Sequence, residues 1–212
     1  MSAYAARFAA VGSLLTHRRV RANTRDDWRT PPIIYKSAND RFFFTGDACA
    51  DAVNTQAPKW IGAERDALST CWSCLGPRVW MNPPFSQARD MVKRARRMSD
   101  LNDQVVACLL PNTTDVLWFH AEAVPFASEL WFYRGRIGFI DPRTLSPVPA
   151  NPVGSVLLIF LPSSEPARPR IGQLDSRTGK PFMSVDREYW TRSLERRSRR
   201  NSLQINKKEY IS

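Results

Sequence analysis

Apolar residues recur along the chain in two patterns, and their alternation predicts the class of fold. Continuous apolar runs at 79–81, 105–110 and 156–161 are typical of strands buried on both faces of a sheet. Further strands are predicted at 41–45, 59–63, 129–133 and 136–140. Between two of the runs, apolar residues repeat at helical spacing and predict the buried stripe of a helix: Ala88, Met91, Val92, Ala95 and Met98. Strands that alternate with helices, followed by paired strands, predict an α/β fold with a mostly parallel sheet and a late antiparallel hairpin.

Residues that cap and break helices divide the chain further. Ser86 is a helix-capping residue type ahead of the apolar stripe, and Thr113 or Thr114 is predicted to start a helix that runs through Ala123. Four prolines between residues 141 and 153 predict a loop, which would join the last two strands as a hairpin with a long tip.

Beyond residue 161 the chain becomes polar and basic. Residues 162–180 are therefore predicted to form a flexible linker, and 186–200 to form a helix with a short apolar face. These changes divide the chain into a basic N-terminal arm (1–25), a folded domain (26–162) and a basic linker with a C-terminal helix (163–212).

The charge of the chain indicates the class of partner. Lysine and arginine number 31 against 20 acidic residues, a net charge of +11 in 212 residues, which favours a polyanion and above all nucleic acid. No apolar run is long enough to cross a membrane, so no membrane partner is expected.

The cysteines indicate no metal site. Cys71 and Cys74 have the spacing of half a zinc knuckle or of a redox pair, but no second Cys/His pair matches them. We therefore expect no metal, and interpret all four cysteines as buried thiols of a reducing compartment.

The strongest chemical signal is the run Asn82-Pro83-Pro84-Phe85 between a predicted strand and a predicted helix. An exocyclic amine on a nucleic-acid base is a poor nucleophile, because its lone pair is delocalised into the ring. Two acceptors aimed at its N–H bonds, the Asn82 side-chain carbonyl and the Pro83 backbone carbonyl, would free that lone pair. The two prolines stiffen the backbone, and Phe85 can stack on the base. This arrangement predicts methyl transfer to a planar amine by positioning and fixed dipoles.

Three segments together resemble the phage-type DNA N6-adenine methyltransferases, the Dam-like enzymes of phages and prophages. They are Asp27-Trp28-Arg29-Thr30-Pro31, then Asp47-Ala48-Cys49-Ala50 with Asp66 beyond it, and Asn82-Pro83-Pro84-Phe85. Residues 135–139, Gly-Arg-Ile-Gly-Phe, are similar to a late element of that family. The resemblance spans residues 26–161 and implies a Rossmann-like methyltransferase fold with S-adenosylmethionine as methyl donor.

The resemblance also implies roles for individual residues. Trp28, Thr30 and Pro31 would help form the donor pocket, with Asp47 near the methionine part of the cofactor and Asp66 near its adenosine part. The expected reaction is methylation of adenine N6 in double-stranded DNA, with the base flipped out of the duplex. The expected enzyme is a site-specific adenine methyltransferase located in the cytoplasm. If the gene is carried by a phage or plasmid, this is the cytoplasm of the bacterial host. Protection of DNA from restriction is the role this implies. Predicted contacts to DNA are Lys93, Arg96, Arg97, Arg134 and Arg136.

Two departures leave alternatives open. The segment around Gly46 has one glycine where methyltransferases commonly have two, and the interval between residues 47 and 82 is short enough for a helix–strand unit to be trimmed. The same four-residue motif occurs in methyltransferases acting on RNA or on protein glutamine. A non-catalytic DNA-binding module with a decayed cofactor site is a further alternative. The oligomeric state is not predicted.

Overall fold

The computed structural model describes residues 25–148, 151–162 and 169–190, and the strands in these ranges form one sheet. The sheet has seven strands in the order β2-β1-β3-β4-β6-β5-β7. The strands are β1 (Gly46–Asp47), β2 (Lys59–Trp60), β3 (Arg78–Met81), β4 (Val105–Pro111), β5 (Glu129–Arg134), β6 (Ser155–Phe160) and β7 (Arg170–Asp175). Two α-helices, α1 (Pro32–Phe42) and α2 (Ala88–Asn102), cover its faces. No described helix is long and apolar enough to span a bilayer.

The strand directions confirm the predicted fold class. β1 pairs in parallel with β2 and β3, β3 with β4, and β5 with β7. β6 is antiparallel to both of its neighbours, β4 and β5, as the predicted late hairpin requires. The chain leaves β1 for β2 on one side and returns to β3 on the other. The topological switch point therefore lies between the carboxyl ends of β1 and β3.

Side chains alternate between two cores, one on each face of the sheet. Val79 and Met81 face α2, whose predicted stripe from Ala88 to Met98 is buried as expected. Trp80 faces α1, where it packs with Tyr35 and with Phe44, which follows the helix. The next side chain in this alternation, at position 82, belongs to the α1 face.

The prediction of a strand at 41–45 was wrong. α1 continues to Phe42, and Phe43 ends it in a left-handed conformation with φ of 52°. Tyr35, Ala38 and Phe42 are buried at helical spacing, so the aromatic residues here belong partly to a helix stripe. The sheet begins only at Gly46.

The predicted strand at 136–140 and the predicted helix after Thr113 were also wrong in extent. Residues 136–139 pair with no strand, because this segment leaves the sheet and bridges Arg29 through Ile140.

At the predicted helix start, Thr113 Oγ1 makes no hydrogen bond within the described part of the chain, and a short π-helical turn forms at Phe119–Ala123 instead. The strand predicted at 59–63 is limited to Lys59–Trp60.

The prediction of a linker was wrong for residues 170–175, which form β7 on the edge of the sheet. Leu174 is fully buried, and a Cβ on Gly172 would lie 2.3 Å from Cζ3 of Trp131, so glycine permits the close approach of this strand. Residues 184–190 are helical, which agrees with the start of the predicted C-terminal helix. The rest of that helix and the arm at 1–24 lie outside the described residues.

A buried ion pair links α1, β5 and the C-terminal segment. Arg41 donates to both carboxylate oxygens of Glu129 at 2.6 and 2.8 Å, and each side chain is only 2% exposed. Glu129 also accepts hydrogen bonds from Trp131 Nε1 at 2.7 Å and from the Tyr189 hydroxyl at 3.3 Å. The guanidinium lies 4.3 Å from the ring centre of Trp190. The carboxylate is therefore fully occupied by donors within an aromatic enclosure.

The interpretation of all four cysteines as buried thiols was wrong for two of them. Cys71 and Cys74 are exposed because Trp72 and Leu75, on the same 3₁₀ turn, take the inward positions. Among the described residues, no three His, Cys, Asp or Glu side chains are grouped as metal ligands.

Candidate active site

The switch point brings together two residues that the sequence singled out. Asp47 ends β1 and is paired in register with Trp80, two residues before Asn82 at the end of β3. The Ala48 N–H donates to the Trp80 carbonyl at 2.9 Å and ties the two strand ends together. Asp47 and Asn82 thus lie on adjacent strands at the carboxyl edge, where ligands bind in sheets of this type.

The Asn82 amide is held with its oxygen unused. Its Nδ2 donates to the Trp28 carbonyl at 3.2 Å. Since a carbonyl can only accept, the nitrogen must face Trp28 and the oxygen must face the other way. Oδ1 is buried and has no hydrogen-bond partner in the described part of the chain. A buried acceptor without a donor is costly, so a donor from a ligand or a water would stabilise this oxygen.

Three aromatic rings cluster with one another near this amide. Trp28 and Phe139 are nearly parallel, with centroids 6.1 Å apart and an interplanar angle of 27°. Phe85 meets both edge-on, each at 6.2 Å. The backbone carbonyl of Trp28 holds the amide, so the same residue links the unused acceptor to this ring cluster.

The segment from Asp26 to Thr30 organises the loops around the amide. Arg29 exchanges two backbone hydrogen bonds with Ile140, at 3.0 and 2.9 Å, and the Thr30 carbonyl accepts a bond from Gln56 Nε2 at 3.1 Å. Together with the bond from Asn82 to Trp28, these contacts join the loops that follow β1, β3 and β5.

Asp26 holds the loop directly after Phe85. Its two carboxylate oxygens accept from the Ser86 backbone N–H at 3.0 Å and from the Ser86 hydroxyl at 2.6 Å. The prediction that Ser86 caps α2 was wrong for this reason, because its hydroxyl is used by Asp26, and a 3₁₀ turn (Phe85–Gln87) precedes the helix.

Asp47 is a buried carboxyl with a single donor. Its Oδ1 accepts the Cys49 N–H at 2.9 Å, and the residue is 6% exposed. Burial raises the pKa of Asp47 from 3.8 to about 7, against the smaller, opposite effect of the Cys49 hydrogen bond. Burial and the neighbouring Asp47 carboxylate also raise the pKa of the Cys49 thiol, which is therefore unreactive. A cation placed beside Asp47 would favour its ionised form.

The other predicted donor-pocket residues lie near this edge in different settings. Thr30 is buried, and Pro31 immediately precedes α1. Asp66 is exposed in the turn after β2, where its carboxylate accepts the Leu68 N–H at 3.1 Å. Trp28 contacts Asn82 through its backbone carbonyl and Phe85 and Phe139 through its ring, and its place in the donor pocket stays a prediction.

The single glycine before Asp47 has a packing role. A Cβ on Gly46 would lie 2.5 Å from the Leu75 Cβ, so β1 can approach the 3₁₀ turn at Trp72–Leu75 only with glycine there. Between β1 and β3 the chain forms short 3₁₀ turns and no α-helix, as the short interval predicted. The presence of one glycine instead of two thus goes with a short connection between β1 and β3.

The predicted DNA-contacting residues fall into two groups. Lys93, Arg96 and Arg97 lie on the outer face of α2, where Lys93 pairs with Glu122 at 3.0 Å and Arg96 lies 3.1 Å from the ring centre of Phe126.

Arg134 and Arg136 flank Gly135 at the carboxyl end of β5, and both are exposed. This second group shares an edge of the sheet with Asn82.

Sequence reasoning missed three residues of the site: Asp26, Gln56 and Phe139. Phe139 closes the Gly135–Phe139 segment, so an aromatic residue at its end was a usable signal. Asp26 and Gln56 act through contacts with residues 60 and 26 positions away in the chain, which no local pattern reveals.

The chain is similar to known proteins in sequence. The family model for DNA N-6-adenine-methyltransferase (Dam) matches residues 17–180. The DNA N-6-adenine-methyltransferase of Haemophilus phage HP1 is 30% identical over 154 residues, which cover 71% of this chain and 87% of the phage protein. The enzyme of the same name from Escherichia phage T1 is 29% identical over 151 residues, 64% of this chain and 63% of the relative.

Among solved structures, a modification subunit of a type I restriction enzyme from Vibrio vulnificus aligns with 92% of this chain and 56% of its own. Its TM-score of 0.39 and 9% identity carry no argument about function. The family match covers most of the chain and includes all three resembling segments, so the chain belongs to the DNA N-6-adenine-methyltransferase (Dam) family.

Proposed function

We propose that this protein transfers a methyl group from S-adenosylmethionine to N6 of a flipped adenine in double-stranded DNA. The observation that carries the proposal is the buried Asn82 Oδ1 at the switch point of the sheet, which no donor from residues 25–148, 151–162 or 169–190 reaches. Its family relatives are named for this reaction, and the positive charge of the chain suits a DNA substrate.

The residues at the end of β1 fit the donor. Asp47 is a buried carboxyl whose ionised form needs a cation, and the methionine ammonium of S-adenosylmethionine supplies one. Thr30 and Pro31 precede α1 at the same edge, and Asp66 follows the neighbouring strand. When bound, the cofactor supplies an electrophilic methyl group. The protein's part is to place the Asp47 carboxylate and to exclude water from the buried strand ends.

The residues after β3 fit the target amine. Asn82 Oδ1 would accept one N6 hydrogen and the Pro83 carbonyl the other, which directs the nitrogen lone pair outward. Because the bond to Trp28 orients the Asn82 amide before the base arrives, the acceptor needs no rearrangement during the reaction. The N6 proton then passes to solvent.

The aromatic rings fit the target base. Trp28 and Phe139 pack directly against each other, since centroids 6.1 Å apart are typical of aromatic rings in contact. Trp28 and Phe85 are both partly exposed, so a flipped base would stack on an open face of one of these rings. The energy of this stacking offsets part of the cost of flipping the base.

The test is Asn82→Ala, assayed by nucleoside analysis for N6-methyladenine after incubation with donor and unmethylated duplex DNA. We expect turnover to fall by about a hundredfold or more, with melting temperature unchanged. Gln87→Ala is the matched control, since it removes an exposed amide from the next turn. Near-normal turnover in Asn82→Ala would refute the assigned role.

The same assay separates the alternatives. Methylated product in RNA or in protein glutamine, with none in DNA, would reassign the substrate. Wild-type protein that fails to bind labelled S-adenosylmethionine would be a DNA-binding module. Methylated plasmid that resists adenine-methylation-sensitive restriction enzymes would support the proposed protective role.

A further inference from the structure

Two turns at the carboxyl edge of the sheet pack against each other far from Asn82. One follows β5 and spans residues 134–136, and the other follows β7 and spans residues 176–180. The Ser176 N–H donates to the Arg134 carbonyl at 3.2 Å, and a Cβ on Gly135 would lie 2.6 Å from Ser176 Oγ. These two turns, called here the β5–β7 ridge, therefore form one continuous surface.

The ridge carries four exposed basic side chains: Arg134, Arg136, Arg177 and Lys180. Every ion pair within 4 Å among the described residues involves other cations. The carboxylate closest in sequence, Asp175, is taken up by the Arg177 and Thr178 N–H groups and by the Thr178 hydroxyl. No ridge cation in the described ranges thus lies within 4 Å of a carboxylate. The hydrogen bond from the Thr178 N–H does most to lower the pKa of the Asp175 carboxyl, and the attraction of the Arg177 charge helps to lower it further.

Two of these cations are held in place by packing. The Arg134 guanidinium lies 4.1 Å from the ring centre of Phe182, and an Arg136 guanidinium nitrogen lies against Gly154. On the outer face of α2, by contrast, Lys93 is paired with Glu122 and Arg96 is stacked on Phe126. Among the described residues, the four ridge cations therefore have no carboxylate within 4 Å, whereas Lys93 and Arg96 on α2 each have one.

The ridge and Asn82 are separated along the sheet edge by a distance that a DNA duplex spans. From β3 to β7 the sheet crosses four strand spacings, about 19 Å at about 4.8 Å each. Successive base pairs of a duplex advance about 3.4 Å along its axis, so a duplex whose axis follows this edge covers the span in five or six base pairs. A duplex whose flipped base reaches Asn82 can thus lay its backbone along the ridge.

We propose that the β5–β7 ridge binds the phosphate backbone of duplex DNA about five base pairs from the flipped base. This proposal rests on the proposed function, since it takes DNA as the substrate. It gives the turn after β7, which lies within the sequence-predicted linker, a role in substrate binding.

The test compares two double variants of the full chain, Arg177→Gln/Lys180→Gln on the ridge and Lys93→Gln/Arg97→Gln on α2. Binding of a fluorescein-labelled 30-base-pair duplex is followed by anisotropy across a series of NaCl concentrations. Each lost phosphate contact makes the slope of log K against log salt less negative by about 0.9. We expect the ridge variant to lose about 1 to 2 units of slope and to bind about tenfold more weakly, and the α2 variant to lose less, because Lys93 already pairs with Glu122.

Turnover distinguishes binding from chemistry. The ridge variant is expected to raise KM for DNA and to leave kcat at saturating duplex unchanged, because its residues lie far from Asn82. An unchanged salt slope in the ridge variant, or an equal loss in both variants, would overturn the proposal. Equal or tighter binding of a 30-base-pair RNA duplex would overturn the choice of DNA. Formation of N6-methyladenine by the wild-type protein tests the proposed function separately.

Discussion

Replacing Asp47 by Asn should change the pH dependence of stability in a defined way. The carboxyl is 6% exposed, and its one donor within the described ranges, the Cys49 N–H at 2.9 Å, does not compensate for the lost hydration. Burial therefore raises the pKa of Asp47 from 3.8 to about 7 in the folded protein. Asn at this position keeps an oxygen for the same N–H and carries no charge at any pH.

The sign and size follow from the two pKa values. Below about pH 3.8 the carboxyl is protonated in both states and costs nothing. Between pH 3.8 and 7 the unfolded chain loses this proton while the folded protein keeps it, so the free energy of unfolding falls as pH rises. Above pH 7 the loss is complete, and three pKa units at about 1.4 kcal/mol each amount to about 4 kcal/mol.

Urea denaturation of wild type and Asp47→Asn between pH 4 and 8 measures this effect. The free energy of unfolding of the variant, minus that of wild type, should rise by about 4 kcal/mol across the range, mostly between pH 4 and 7. Any constant cost of the amide cancels in the comparison across pH. Parallel curves for the two proteins would show that Asp47 titrates normally and would refute the reasoning.

Three further predictions concern the cofactor, the active-site loop and the buried ion pair. Binding of S-adenosylmethionine at pH 6 should release protons from Asp47. Calorimetry would then show a binding enthalpy that depends on the ionisation enthalpy of the buffer. A binding enthalpy that is the same in all buffers would contradict this prediction. Asp26→Ala should lower kcat by about five- to thirtyfold, because it removes two charge-assisted hydrogen bonds to Ser86. The affinity for the methyl donor should be unchanged, and Asp26→Asn should recover part of the activity. A normal kcat in Asp26→Ala would exclude a positioning role. Arg41→Ala should lower the free energy of unfolding, measured by chemical denaturation, by about 3–5 kcal/mol, because it leaves the buried Glu129 charge uncompensated. The double variant Arg41→Met/Glu129→Leu should lower it less. An equal loss in both variants would argue against this explanation.

Local patterns were enough to predict the buried strands and the motif after β3. β4 is apolar at nearly every position, and the stripe of α2 repeats at 3.6 residues, so each element has a signal within its own window. The segment 41–45 failed because a run rich in phenylalanine fits a strand and the end of a helix equally well. β7 failed because its alternation is weak, with Leu174 and Gly172 as its buried positions.

The residues of the candidate active site also separate into those that local sequence patterns could predict and those that they could not. Asn82 through Phe85 could be selected from chemistry alone, because an amide, two prolines and an aromatic ring at a strand end suit a planar amine. Asp26 and Phe139 could not be assigned to the site in this way. Their positions depend on Ser86 and on the bridge between Arg29 and Ile140, which lie far away along the chain.

By itself, the sequence determined the fold class, the family and the chemical nature of the motif, since these depend on residue type, order and short-range spacing. Only the tertiary structure decided which way the Asn82 amide points, that Trp28 packs with Phe85 and Phe139, and that exposed cations gather on the β5–β7 ridge. The physical reason is that a hydrogen bond, a stacking distance and an unpaired charge are relations between groups. Such relations come into being only when the sheet brings distant strand ends to one edge.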